Sequence, residues 1–292
     1  MHKYVKAIGF HEIDSEKEWN HILSRAEEHF TDYDRIALEE GLDLCELRKS
    51  FGDKIGISSY GQVDEADERF RRESYFPYFE GSGISSYADI IVEQRSETHT
   101  YVGICEEMKI GISLIFHLQN GMEYQRELQS GNLPRRSTSI TFSGLATSGK
   151  VLFPVLKSKE QAAQHAEERQ NHMMLLSAAR EGNPEAIESL TMEDIDTYTE
   201  VSRRIRNEDI YSIVDTSFMP DGLECDKYAV LGEILDVNMT ENEWTGKMLY
   251  ILRLEMNDLQ FDVCVPAEKV VGEPAIGRRF KAKIWLQGHI NF

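Results

Sequence analysis

Asp89, Glu107 and Lys109 are the residues of this sequence whose types and order could do chemistry. In a metal-dependent nuclease, two carboxylates hold magnesium while a lysine stabilises the attacking water or the leaving oxyanion. Here Asp89 opens a strand-like run, and Glu107-Met-Lys109 falls where a turn is expected. Solvated turn charges are the commoner explanation of such a triplet, because exposed Asp, Glu and Lys contribute little and occur everywhere. A metal-dependent nuclease or hydrolase is therefore the alternative reading, with these three as its candidate catalytic residues.

Other patterns fail on their own chemistry. Gly144-Leu-Ala-Thr-Ser-Gly149-Lys150-Val151 is close to a phosphate-binding loop, but that motif needs Ser or Thr after the lysine and a helix behind it. Val151 holds that place and a β-like run follows, so a glycine-rich hairpin turn is expected instead. His165 and His172 lie nearly two helical turns apart, about 10.5 Å along the axis, too far to share a metal. His117 in an apolar strand reads as a satisfied core or edge histidine. The four cysteines, Cys45, Cys105, Cys225 and Cys264, are dispersed without a Cys-x-x-Cys pair, which argues against zinc and fits a reducing compartment. The sequence calls for no cofactor and no metal.

Two surfaces could bind instead. Tyr75-Phe76-Pro77-Tyr78-Phe79 is expected to be an aromatic loop. Arg279, Lys281 and Lys283, with Trp285 on the same alternating face, combine positive charge and an aromatic ring, as single-strand nucleic-acid binders do. A charged outer strand face that discourages edge pairing has the same composition.

The elements that must position these residues come in three blocks. Residues 1–157 read as an α+β domain with an antiparallel sheet. It has a first strand at Tyr4–Phe10, an amphipathic helix capped at Asp14 or Ser15 with Trp19, Leu23, Ala26 and Phe30 on one face, a possible helix from Asp64 to Glu73, and an Asn120-Gly121 hairpin. Residues 158–207 read as a helical connector around which the two β-rich parts are organised. It opens at the Ser158–Gln161 capping box, stops at Gly182, restarts at Asn183-Pro184, and is capped a third time near Thr191 and Asp194. Residues 208–292 hold five short strand candidates, Ile210–Val214 being the first, and suggest a small closed β-barrel of the oligonucleotide/oligosaccharide-binding (OB) type.

The chain has 292 residues and a net charge of −19, from 32 Lys+Arg against 51 Asp+Glu. That excess repels polyanions, so binding to nucleic acid is disfavoured. Neither a signal peptide nor a long apolar span is expected, which points to a cytoplasmic protein with no membrane partner.

Asp209–Val214, Phe218-Met-Pro220, Gly272-Glu-Pro274, and Gly277–Lys281 through Trp285–Gly288, together with Tyr4–Phe10 and Tyr75–Tyr78, resemble an uncharacterised family of Gram-positive bacterial cytosolic proteins. The resemblance implies no activity and no site residue. The leading reading is a non-enzymatic interaction module with an unidentified protein partner, contacting it through Tyr75–Phe79 or the strand bearing Arg279, Lys281, Lys283 and Trp285. A second alternative is single-stranded nucleic-acid binding by the barrel. The oligomeric state is left open.

Overall fold

Ser15 opens helix α1 (Glu16–Glu28) by accepting the Glu18 amide, the cap expected from the sequence. Trp19, Leu23 and Ala26 form its buried stripe, whereas Phe30 lies past the helix end and is exposed. Before α1, Lys3–Ile8 is a 3-10 turn and not a strand. Tyr4, Val5, Ala7 and Ile8 are all buried, so both halves of the expected alternation face the core and it carries no strand period. The structure, a computed structural model, describes residues 1–39, 42–64, 69–95, 100–131, 133, 139–155, 171–172, 174–179, 181–204, 210–222 and 225–292.

After α1 the chain builds a four-stranded antiparallel sheet from β1 (Asp32–Glu39), β2 (Leu42–Gly52), β3 (Ile55–Asp64) and β4 (Phe70–Phe79), in that spatial order. The expected aromatic loop is thus the second half of β4, and the segment expected to be helical ends in the same strand. Pro77 pairs with Ile57 on what is the outer strand of this sheet, where a missing backbone donor is tolerated.

A second sheet has ten strands: β5 (Ile90–Gln94), β6 (Tyr101–Glu107), β7 (Ile112–Leu118), β8 (Ser139–Leu152), β9 (Ser217–Pro220), β10 (Lys227–Asn242), β11 (Lys247–Met256), β12 (Leu259–Pro266), β13 (Val270–Val271) and β14 (Arg279–Asn291). Its path runs β13-β8-β12-β11-β10-β14-β7-β6-β5, with β9 on β10. β8 pairs both with β12, in parallel, and with β14, antiparallel. The pairings of β8, β12, β11, β10 and β14 therefore return to their start as a ring. Strands from both sides of the expected boundary at 157 and 208 share this sheet. The mixed α+β class expected from the sequence holds, with strands dominant.

Alternation along the ring strands separates two cores. Phe261, Val263 and Val265 of β12, and Phe280, Ala282 and Ile284 of β14, belong to one. Cys264 and Trp285 join Leu145, Leu249 and the buried face of the 3-10 turn and α1 in the other. The expected glycine-rich turn at 144–149 is mid-strand in β8. Gly149 faces the Phe280 ring, where an added Cβ would come within 2.1 Å of it, so glycine is there for close packing.

Asn120-Gly121 starts helix α2 (Gly121–Ser130) instead of a hairpin. The helix-forming run after it and the left-handed Gly131 at its end outweigh the local turn signal. In the middle segment, Asn183 caps helix α3 (Pro184–Arg204) by accepting the amides of Glu185 and Ala186. No new helix begins at Thr191, whose hydroxyl donates back to the Ile187 carbonyl. Ile187, Met192 and Ile195 are exposed on this helix. Ser158–Gln161 lies outside the described residues, and Ile210–Ile213 is a single helical turn and not a strand. No helix among the described residues is long and apolar enough to cross a membrane.

The two sheets meet at a buried glutamine. Gln287 of β14 donates to Pro77 O (2.8 Å) and accepts from Phe79 N (3.1 Å) and Gln119 Nε2 (2.9 Å). Gln119 and Ser143 donate to Phe79 O. Replacing Gln287 by Leu strands the Phe79 amide and the Pro77 carbonyl in the interior and takes one acceptor from Gln119. We expect a loss of about 3 kcal/mol or more in urea-unfolding stability.

Candidate functional site

The last residue of β6 is Glu107, and a tight turn through Gly111 leads into β7. The Gly111 amide closes it on Glu107 O at 2.9 Å, and its φ of +69° favours glycine there. Glu107 therefore stands at a turn, as expected, but it is not solvated: the residue is 3% exposed. Its Oε1 accepts the Lys109 amide at 3.1 Å, while Oε2 has no hydrogen-bond partner among the described residues. Such a buried acceptor without a donor costs about 1–3 kcal/mol, more when charged.

Lys109 does not supply that donor. Its ammonium is held 3.1 Å from Ser85 O, and Ser85 is fixed in turn through its Oγ, which accepts the Phe142 amide. Asp89, Glu107 and Lys109 nonetheless line one open cleft of ≈ 780 Å³. Glu106 adds a further carboxylate, and Tyr87, Ile91 and Ile104 add apolar surface. Tyr87 and Ile91 are 70% and 63% exposed, unusually bare for large apolar residues. Cys105, also in this wall, is no nucleophile: burial, with the Glu107 charge beside it, pushes its thiol up to about 12.

No three His, Cys, Asp or Glu residues of the cleft bring a ligand atom each within 4.8 Å of one another. Among the described residues, the group that does so is His11, Glu12 and Glu268, none of which lines the cleft. There the Lys247 ammonium already pairs with both carboxylates.

Of the other predicted contact residues, Tyr78, Phe79, Arg279 and Trp285 are buried, Tyr75 and Phe76 are partly buried, and Lys281 and Lys283 are exposed. Phe79 is fully buried, Tyr78 lies under the Arg48 guanidinium at 4.2 Å, and the Tyr75 hydroxyl accepts the His2 amide at 2.8 Å. Arg279 is 5% exposed, and its guanidinium donates to the carbonyls of Phe153, Val214, Asp215 and Tyr211. Lys281 donates to the Tyr211 hydroxyl and lies over that ring, and Lys283 pairs with Asp221 at 2.8 Å. Trp285 is buried, so the expected basic-aromatic strand face does not exist as a surface. Strand parity puts Trp285 on the side of Lys281 and Lys283, but there the N-terminal 3-10 turn and β4 cover it.

A family model described as a domain of unknown function, E. rectale gene description (DUF3881), matches residues 5–288. The chain belongs to this family. The match spans both sheets, so the cleft and the Gln287 contact both lie within the DUF3881 region. No curated protein and no solved structure is significantly similar to this DUF3881 chain.

Sequence reasoning missed one cluster altogether. Trp285 donates through Nε1 to Asp226 Oδ2 at 2.9 Å, and Arg95 pairs with the same oxygen at 2.7 Å. The rings of His2 and His117 stand 4.6 and 5.0 Å from Trp285, and Phe76 is 4.5 Å from His117. No spacing in the sequence links these residues. His117 is not the satisfied core histidine expected, because its Nδ1 lacks a partner among the described residues.

Burial lowers His117 to about 3, with the Arg95 charge adding to the effect, and burial lowers His2 to about 4 against the opposing pull of Asp226. The unfolded chain takes up a proton near the ordinary histidine value of 6.5, which folded His117 refuses until about 3. Stability therefore falls as pH drops through that window. His117 alone contributes a slope of about 1.4 kcal/mol per pH unit. Chemical unfolding between pH 7 and pH 4 is expected to show His117→Phe losing that share of the slope.

Proposed function

We propose that this DUF3881 chain is a non-enzymatic interaction module of the cytosol of a Gram-positive bacterium, and that a protein partner docks in the cleft beside Glu107. One observation carries the reading: a carboxylate 3% exposed, with an oxygen lacking any donor among the described residues, in the wall of an open, largely apolar cleft. A protein keeps such a group at a cost to its own stability, and a ligand that brings a donor repays it.

The ring of strands supports the finer OB-type reading. β10, β11 and β12 follow one another antiparallel, β14 returns to β10, and β8 closes the ring in parallel with β12. The closing strand comes from before the helical segment, so residues 139–152 and 227–291 form one unit and residues 158–207 read as an excursion from it. The outer side of this ring, where Leu249, Cys264 and Trp285 lie, is covered by the chain's own 3-10 turn. Nothing there offers a base-stacking platform.

A second reading has its own observation: Asp89, Glu107 and Lys109 share the cleft, as a metal-dependent hydrolase would require. Under the interaction reading, millimolar magnesium or manganese leaves the thermal midpoint unchanged. A rise that Glu107→Gln abolishes would transfer the site to the hydrolase.

Glu107→Gln also tests the interaction reading directly. The substitution keeps an acceptor for the Lys109 amide and removes the buried charge. We expect urea-unfolding stability to be unchanged or raised by up to about 1 kcal/mol. A loss above about 2 kcal/mol would make Glu107 a structural residue and end the proposal.

A further inference from the structure

We infer that the cleft receives an extended segment of a partner protein that adds as a strand along β5 and delivers a lysine or arginine to Glu107. This rests on the interaction reading above, whose cleft it specifies further.

The first argument is the sheet edge. β5 ends the ten-stranded sheet, and no described strand pairs with its outer side. The Arg95 amide bonds to Thr100 O at 2.9 Å, which marks 95 and 100 as a hydrogen-bonded pair of the antiparallel ladder. Such pairs recur every second residue, so Glu93 and Ile91 point their backbone groups at β6. Ile90 and Val92 then point theirs outward. Their side chains pack on the core beneath, so this stretch of edge is held in place. Exposed strand edges with ordered backbone groups are templates for an added strand.

The second argument is charge. The register Ile90↔Cys105, carried one residue further, sets Asp89 opposite Glu106. Glu107 falls one step beyond, opposite Ala88, where β5 has not yet begun. An added segment approaches Glu107 from that end of the cleft, beside Ala88. Two strand spacings of about 4.8 Å separate that segment from β6, a gap that a lysine or arginine and the Glu107 carboxylate span between them. The orphan Oε2 calls for a donor, which an ammonium or guanidinium has and a neutral apolar side chain lacks. Exposed Tyr87 and Ile91 suit apolar residues flanking that cation.

The test pans a display library of random peptides against the intact protein, then measures the selected peptides by calorimetry and by amide hydrogen exchange. Enrichment of lysine or arginine flanked by apolar residues is expected. Binding should weaken roughly 10- to 100-fold in Glu107→Gln, with new protection of the Ile90 and Val92 amides in the wild-type chain. Peptides that need Glu107 but leave those amides unprotected overturn strand addition and leave the cleft standing. Selected peptides without a basic residue that still compete at the cleft overturn the cation. No selection, or binding indifferent to both Glu107→Gln and Asp89→Lys, overturns the cleft as the contact surface. Protection of Ile90 and Val92 without peptide, rising with protein concentration, makes a second copy of the chain the occupant and overturns the heterologous partner.

Discussion

Gln287 has no exposed surface, and both ends of its carboxamide are used across the gap between β14 and β4. Because β4 is the last strand of its sheet, its Pro77 carbonyl and Phe79 amide would otherwise be buried groups without partners. A sheet edge buried without partners is among the costlier arrangements a protein can adopt, so the position of one sheet on the other is tied to this contact. Gln119 and Ser143 reach the Phe79 carbonyl from the β7 end and from β8. Three strands of the large sheet thereby converge on one residue of the small one.

The strands of the ring are buried on both faces over part of their length only, which explains why surface reasoning went astray in β14. An alternation of Lys281, Lys283 and Trp285 describes one face only as long as that face sees the same environment throughout. In β14 the environment changes at the bulge between Ala282 and Ile284. Up to there the face holds exposed lysines; from Trp285 on it lies beneath the 3-10 turn and β4. Arg279 shows the same change at the other end, where four backbone carbonyls replace solvent around the guanidinium.

What could be read from the sequence follows from how local each determinant is. The α1 cap and stripe, the Asn183 cap and the β5–β7 meander depend on neighbours in sequence, and these were legible. The Lys3–Ile8 turn, β4 around Pro77 and β8 through its glycines depend on distant strands. The closing of the ring through β8 is set by pairings more than a hundred positions away, which no local pattern encodes. At the cleft the residue types were visible and Glu107 was correctly set at a turn. Its burial follows the alternation of β6, which sets Glu107 on the buried side with Tyr101, Gly103 and Cys105, and reading the position as a turn hid that parity.

β14 binds β7, β8 and β10, all of which precede it in the chain. During synthesis those strands therefore leave the ribosome with no common partner. At about 5–20 residues per second, β8 waits on the order of ten seconds for the strand that closes the ring. Throughout that interval Leu145 and Phe142 lack the β12 and β14 side of their cores, and the newly made chain has the sticky, half-built surface that holding chaperones recognise. The ring thus cannot close in the order in which its strands are made, and its closure waits for the last strand of the chain.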